Sequence, residues 1–310
     1  MSHRQAVSIM LLVTLLWSTA AVVTRQLEAA RGFEMTFWRS AVTLVVLSIV
    51  LGWQRGVGNM LRELRTGGRP LWVSGWMWCV MFTCFMVALA LTTAANVLIT
   101  MSMAPLFTAL LAHFMLGHTV ARRTWVAIAL AGIGIVWMYA AGFDGDPRHL
   151  LGTAVALCVP VAGAINWNLS QRVEQRASAQ QGKVDLVPAV LIGAALSTSI
   201  TLPLSWPLQA SAHDIGLLAG LGVFQLAIPC VLAVMAARVL PAPEMSLLSL
   251  LEIVFAIAWV WLATDEKPTV AVVAGGSLVL GALVVSQWLG LREQRGKAGA
   301  GGDPLLGRGH

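Results

Sequence analysis

The stretch from Asn96 to His118, NVLITMSMAPLFTALLAHFMLGH, and the stretch from Glu244 to Glu266, EMSLLSLLEIVFAIAWVWLATDE, lie at a constant offset of 148 residues. Phe107 falls on Phe255, and each stretch carries an apolar run of about 20 residues, the length a helix needs to cross a bilayer. Each ends in a polar joint, at His118 or Glu266, and a Gly-rich apolar run follows in both, so the correspondence extends from Asn96–Ile135 to Glu244–Leu283. At nearly the same offset Arg25, after the first apolar run, falls on Arg172, after the sixth. A shared offset across separate matches predicts a duplicated unit.

Working outward, apolar runs occupy residues 6–24, 33–52, 71–91, 94–116, 124–142, 150–170, 187–206, 214–237, 244–263 and 269–289. The chain is 58% hydrophobic and 11% charged, where a soluble domain carries about a quarter charged residues. Disorder and most soluble classes are thereby excluded. In lipid every backbone N–H and C=O must be satisfied within the protein, and these runs lack the alternation of barrel strands, so they are expected to be helices. Five spans per repeat is an odd number, which forces the two copies to insert with opposite topology. The expected fold is an all-α integral membrane protein of ten transmembrane helices, built as two inverted five-helix repeats over residues 1–143 and 144–290. Residues 291–310, rich in Gly and polar groups, are expected to form a disordered cytoplasmic tail.

Orientation follows from Lys and Arg, which are retained on the cytoplasmic side. With the N-terminus inside, 15 of the 20 basic residues fall on that side, four (Arg25, Arg31, Arg148 and Lys267) fall outside, and Arg39 lies within a span. The expectation is a multi-pass protein of the cell (inner) membrane with both termini cytoplasmic. The net charge of +6 is then topological, and no nucleic acid partner is expected. Cys79, Cys84, Cys158 and Cys230 all fall within apolar runs without metal-ligand spacing, and read as small core hydrophobes. The first run imitates a secretory signal, with Ser18-Thr19-Ala20 as a cleavage site, but the many spans that follow favour an uncleaved helix.

The residues Leu16-Trp17-Ser18, Phe37-Trp38-Arg39-Ser40, Pro105-Leu106-Phe107, Leu250-Leu251-Glu252, the joint Asp265-Glu266-Lys267-Pro268 and the glycines Gly275, Gly276 and Gly281 resemble EamA-type permeases of the drug/metabolite transporter superfamily. The resemblance runs from about residue 6 to 290. It implies ten helices, cytoplasmic termini, a central cavity between the halves, and transport of small metabolites such as amino acids or nucleosides, often outward. Two departures stand out. His118 replaces a Glu that is common at that joint, and Ile253 replaces a Pro that often follows Leu-Glu, which suggests a straighter ninth helix.

Glu252 is the sharpest candidate, since a carboxylate inside a span is costly and normally faces a cavity, a partner or water. It is read as a proton-exchanging or cation-recognising acid, against a structural ion pair. Ser249, Ala256 and Trp259 share its helical face. Arg39 is either a cavity group suited to a substrate carboxylate or a snorkelling side chain. Asn96, Thr100, Asn166, Asn168 and Gln225 supply amides and hydroxyls that bind solute or glue helices. Trp17 is deep enough to line a cavity, whereas Trp38, Trp259 and Trp261 suit the interfacial belt. Pro105, Pro160 and Pro229 fall mid-span as hinge candidates. Gly216 and Gly220 have the spacing of close helix packing.

No nucleophile-base arrangement, metal cluster or phosphate loop is legible, so no enzyme, cofactor or metal is expected. The expected function is secondary transport, in the export direction, of a small polar metabolite by alternating access, with proton coupling through Glu252 as one option. The alternatives are efflux of lipophilic cations and a non-transporting receptor or scaffold. Expected partners are the small-molecule substrate and membrane lipid, and the oligomeric state is a monomer or weak homodimer.

Overall fold

The computed structural model describes residues 1–116, 147–179 and 184–263, with single positions between 122 and 137 and between 274 and 285. The described elements are all helical. Among them, seven helices are long and apolar enough to cross a membrane: His3–Gln26, Phe33–Arg55, Gly68–Leu91, Asn96–Met115, Arg148–Ala177, Val187–Leu204 and Ala212–Ala236. These occupy the first four and the sixth to eighth expected spans. The ninth lies on a further helix, Ala242–Ala263. The expected spans 124–142 and 269–289, the joint residues His118 and Glu266, and the tail from 291 lie outside the described residues.

Three spans that the sequence presents as single runs are interrupted. The first divides into α1 (His3–Trp17) and α2 (Ala20–Val23). There the Ser18 and Thr19 hydroxyls donate to the Leu15 and Leu16 carbonyls at 2.6 and 2.7 Å, competing with the helical ladder. After α3 (Phe33–Arg55), α4 (Val57–Thr66) and α5 (Gly68–Leu91), the fourth span divides into α6 (Ala94–Met101) and α7 (Ala104–Leu116). Pro105 is the second residue of α7, and its missing N–H leaves the Met101 carbonyl without a helical donor. Then follow α8 (Pro147–Ala179) and α9 (Val187–Leu204). The eighth span runs as α10 (Ala212–Gly220), a π-helical segment Leu221–Ala227, and α11 (Ile228–Ala236), before α12 (Ala242–Ala263). Pro229 is the second residue of α11 and cannot donate to the Gln225 carbonyl, which is why the ladder widens there. Pro105 and Pro229 therefore begin helical segments rather than bend continuous helices. Of these three prolines, Pro160 sits inside an uninterrupted helix, α8.

The packing has a paired pattern. α5 lies along α8 while α11 lies along α1; α5 lies along α9 while the π segment lies along α3; α7 packs on α8 while α12 packs on α1. α3 meets α9, and α7 meets α12. Contacts that survive exchanging the first set of helices for the second are those a two-fold relation generates. Hydroxyls stitch both self-paired contacts: Ser40 to Ser197 at 3.0 Å and Thr108 to Ser246 at 2.7 Å.

Glycine sets the closest approaches, but at positions other than expected. A Cβ on Gly75 would lie 2.5 Å from Ile192 Cγ2, one on Gly193 would collide with Trp78 Cβ, and one on Gly222 would lie 2.6 Å from the Arg39 carbonyl. Gly216 and Gly220 face open space among the described residues, so their GxxxG spacing marks no close contact. Of the cysteines, Cys79 and Cys230 are buried as expected, while Cys158 is exposed and is not a core residue.

The two ends of the bundle are closed differently. At the end bearing the N-terminus, Asp185 bridges Arg55 at 2.8 Å and Arg238, Arg55 also pairs with Glu63 at 2.7 Å, and His3 reaches Glu244 at 3.0 Å. At the far end Asp214 accepts the amide N–H groups of Glu28, Ala29 and Ala30 at 2.8–2.9 Å. Glu34 reciprocally accepts those of Gln209 and Ala210 at 2.9 and 2.8 Å.

Two outcomes follow for stability. Gly193→Ala overpacks the α5–α9 contact and lowers the unfolding free energy of the purified protein by about 1–3 kcal/mol less any helix-propensity gain, read from its unfolding midpoint, whereas Gly216→Ala is neutral or raises it by up to about 1 kcal/mol. Burial pushes the Asp185 carboxyl up, but the Val187 amide, Arg238 and Arg55 outweigh it and hold the group below the usual carboxylate range. A lowered folded pKa gives stability that is complete above the unfolded value of about 4 and is lost as pH falls through the folded value. Thermal unfolding between pH 7 and pH 3 should therefore show a loss of about 1 kcal/mol per partly exposed pair that Asp185→Asn abolishes.

Candidate functional site

A cavity of about 110 Å³ opens between the two sets of helices, walled chiefly by aromatic and aliphatic side chains. α5 contributes Trp78, Phe82 and Phe85 at the i, i+4, i+7 spacing of one helical face. Trp167 of α8 meets Trp78 edge to face, with ring centroids 5.8 Å apart. The last residue of α1, Trp17, closes another side beside the break at Ser18. From α12, Ser249 and Glu252 face the same space across a separation of three residues.

Arg39 enters from α3 and is 1% exposed. Its Nη1 donates to Gln225 Oε1 at 2.9 Å, its Nη2 donates to the Phe82 carbonyl at 2.7 Å, and the guanidinium stands 5.9 Å from the centre of the Phe85 ring. The side chain does not snorkel to the membrane edge. Among the described residues its Nε–H has no acceptor, and neither has the buried indole N–H of Trp78. Both belong to cavity-lining side chains. Glu252 is 7% exposed and has no hydrogen bond or ion pair among the described residues. In such low-dielectric surroundings a guanidinium and a carboxyl act over longer range than in water.

The geometry sorts the residues singled out from the sequence. Glu252, Arg39, Trp17, Ser249 and Pro160 line the cavity, and Gln225 stands behind Arg39 as its partner. Asn96, Thr100 and Asn166 do not line it. Asn96 donates to Thr92 Oγ1 at 3.0 Å, Thr100 donates to the Asn96 carbonyl at 2.8 Å, and Asn166 accepts from Ser74 at 2.6 Å, so they join helices and turns. Pro105 and Pro229 also lie off the cavity wall. Trp259, expected in the belt, donates to Ser18 Oγ at 3.1 Å and ties α12 to the break in the first span. The aromatic face of α5 was missed by sequence reasoning, although its spacing of four and three was there to be read.

A second cluster, Glu28, His213 and Asp214, brings potential ligand atoms within 4.8 Å of one another at the far end. Both Asp214 oxygens are already committed to backbone amides, so the cluster reads as a strap rather than a metal centre.

The sequence pattern of the EamA-like transporter family matches residues 4–140 and again residues 150–287. No curated protein matches the chain. A solved crystal structure of a protein superposes with a TM-score of 0.65 at 19% identity, covering 94% of this chain and 99% of its own, which is a likeness of fold.

Gln225→Leu removes the acceptor of a buried charged donor. The expected cost is about 1–3 kcal/mol in thermal unfolding, because Arg39 Nη1 loses its partner inside the membrane.

Proposed function

The chain belongs to the EamA-like transporter family, a family of membrane transporters, and from that premise we propose that it is a secondary carrier exporting a small amphoteric metabolite, such as an amino acid or nucleoside, by alternating access. The observation that carries this reading is the buried cavity with Arg39 on one helix and Glu252 on another, walls drawn from both halves of the chain, and no counter-ion for Glu252 among the described residues. Arg39 recognises an anionic or carbonyl group of the solute, the aromatic walls hold its apolar body, and Glu252 takes its cationic group or exchanges a proton. Burial makes each interaction worth more than at a surface, and makes unmatched solutes costly to admit.

The two inverted units, 1–143 and 144–290, supply the rocking bodies, and the paired packing supports that relation. Pro160, inside α8 and on the cavity wall, is the hinge candidate best placed to sense occupancy. The outward direction and the cytoplasmic termini rest on the family resemblance and on the distribution of Lys and Arg.

Lipophilic-cation efflux is the second reading, favoured by Trp17, Trp78 and Trp167 around a carboxyl. Arg39 opposes it, since a fixed guanidinium repels a permanent cation.

The test is flux through the purified protein in liposomes against a panel of amino acids, nucleosides and lipophilic cations. Amphoteric solutes should move, Glu252→Gln should abolish dependence on a pH gradient, and Arg39→Lys should lower flux by about tenfold or more through lost bidentate geometry. Flux of cations alone would select the second reading, and no flux with any solute would defeat both.

A further inference from the structure

Between α3 and α5 the chain places a ten-residue helix, α4, where a short turn would connect two spans. Gly56, with φ of 79°, turns the chain out of α3. One face of α4 is pinned: Met60 is buried, and Glu63 accepts from Arg55 at 2.7 Å. The adjoining face is uncovered and apolar. Val45, Ile49 and Trp53 on α3 and, beyond the turn, Val57 and Leu61 on α4 are 56%, 65%, 88%, 60% and 47% exposed, and Val57 packs back toward Gly52 of α3. Exposed apolar residues that begin on the lipid-facing side of a span and resume directly after its turn keep α4 at the membrane boundary.

Next to Leu61 on the helical wheel come Arg65 and then Arg62, and Arg69 follows in the first turn of α5. All three are exposed, and none makes an ion pair among the described residues. At the same end of the bundle Arg55 and Arg238 are both paired, with Asp185 and Glu63 as their acids. Three positive charges thus stand beside an apolar strip, paired with no anion among the described residues.

We propose that α4 is a docking surface for anionic phospholipid, with Trp53, Val57 and Leu61 in the headgroup and acyl boundary and Arg62, Arg65 and Arg69 on the headgroup phosphates. A lipid leaflet is the occupant because the apolar strip is continuous with the lipid-facing side of α3, and its charge is complementary to three unmatched guanidinium groups. The surface is independent of the transport reading, and binding at it does not require solute movement.

The test uses the full-length protein in nanodiscs of phosphatidylcholine mixed with phosphatidylglycerol, one lipid brominated at a time. The signal of interest is the quenching lost on Trp53→Phe, which isolates this tryptophan from the others. Brominated phosphatidylglycerol should quench Trp53 more than brominated phosphatidylcholine does at equal mole fraction, and the preference should shrink at high salt. Each Arg→Gln replacement at 62, 65 or 69 should lower the preference by up to about fivefold, the effect of one basic residue at an anionic surface, and the triple Arg→Lys variant should retain it. Equal quenching by the two lipids, or a preference unchanged by the single Arg→Gln variants, overturns the proposal. Loss of Trp53 quenching by both lipids on dimerisation would assign the face to a second copy of the chain and overturn it equally.

Discussion

A guanidinium buried within the membrane must have acceptors, and the acceptors of Arg39 determine where three spans meet. Its two bonds reach the Phe82 carbonyl of α5 and the Gln225 side chain of the π segment, so α3 is held against both. The π segment in turn depends on Pro229, which cannot donate to the Gln225 carbonyl, and on Gly222, which lets the α3 backbone approach. Thr43 completes the contact, its single O–H shared between the Gly222 carbonyl at 2.8 Å and the Arg39 carbonyl of its own helix at 2.9 Å. The widened ladder thereby finds a donor that regular helix would not need. Moving Arg39 without moving α5 and the π segment would strand a charge in low dielectric, so the three elements shift as a unit or the bonds must pass to a solute.

The described helices were legible in the sequence because lipid leaves the backbone no other way to satisfy itself, and apolar length alone then places their rough ends. Their interruptions were legible only in part. Pro105 and Pro229 marked two of the sites as hinge candidates, but Ser18 carried no such mark, and whether a site bends or breaks depends on which carbonyls a hydroxyl or an absent N–H leaves available. Glu252 and Arg39 announced themselves by charge, yet only packing decides that Arg39 turns inward to Gln225 rather than outward to headgroups. Asn96, Thr100 and Asn166 have the same polar signature as Gln225 and end up as helix joints, since an amide's role depends on its neighbours rather than its chemistry. The α5 aromatics were hidden for the opposite reason. In a chain this apolar, Trp78, Phe82 and Phe85 look like any lipid-facing run until α8 and α9 cover them.

The closures at the two ends are unequal in strength. At the far end, five backbone amides donate to two carboxylates that are at most 4% exposed, Asp214 and Glu34. Hydrogen bonds to a charged group contribute about 1.5–3 kcal/mol each, and a buried carboxylate stripped of them gains no water until the whole end has parted. At the N-terminal end the link runs through Asp185 to Arg55 and Arg238, whose side chains are 22–42% exposed together with the acid's 30%. Partly solvated pairs contribute about 1 kcal/mol or less apiece, and water replaces each partner as it leaves. Among the described residues, the N-terminal closure is therefore one that water can replace pair by pair, whereas the far end parts only when five amide bonds to buried carboxylates are given up together.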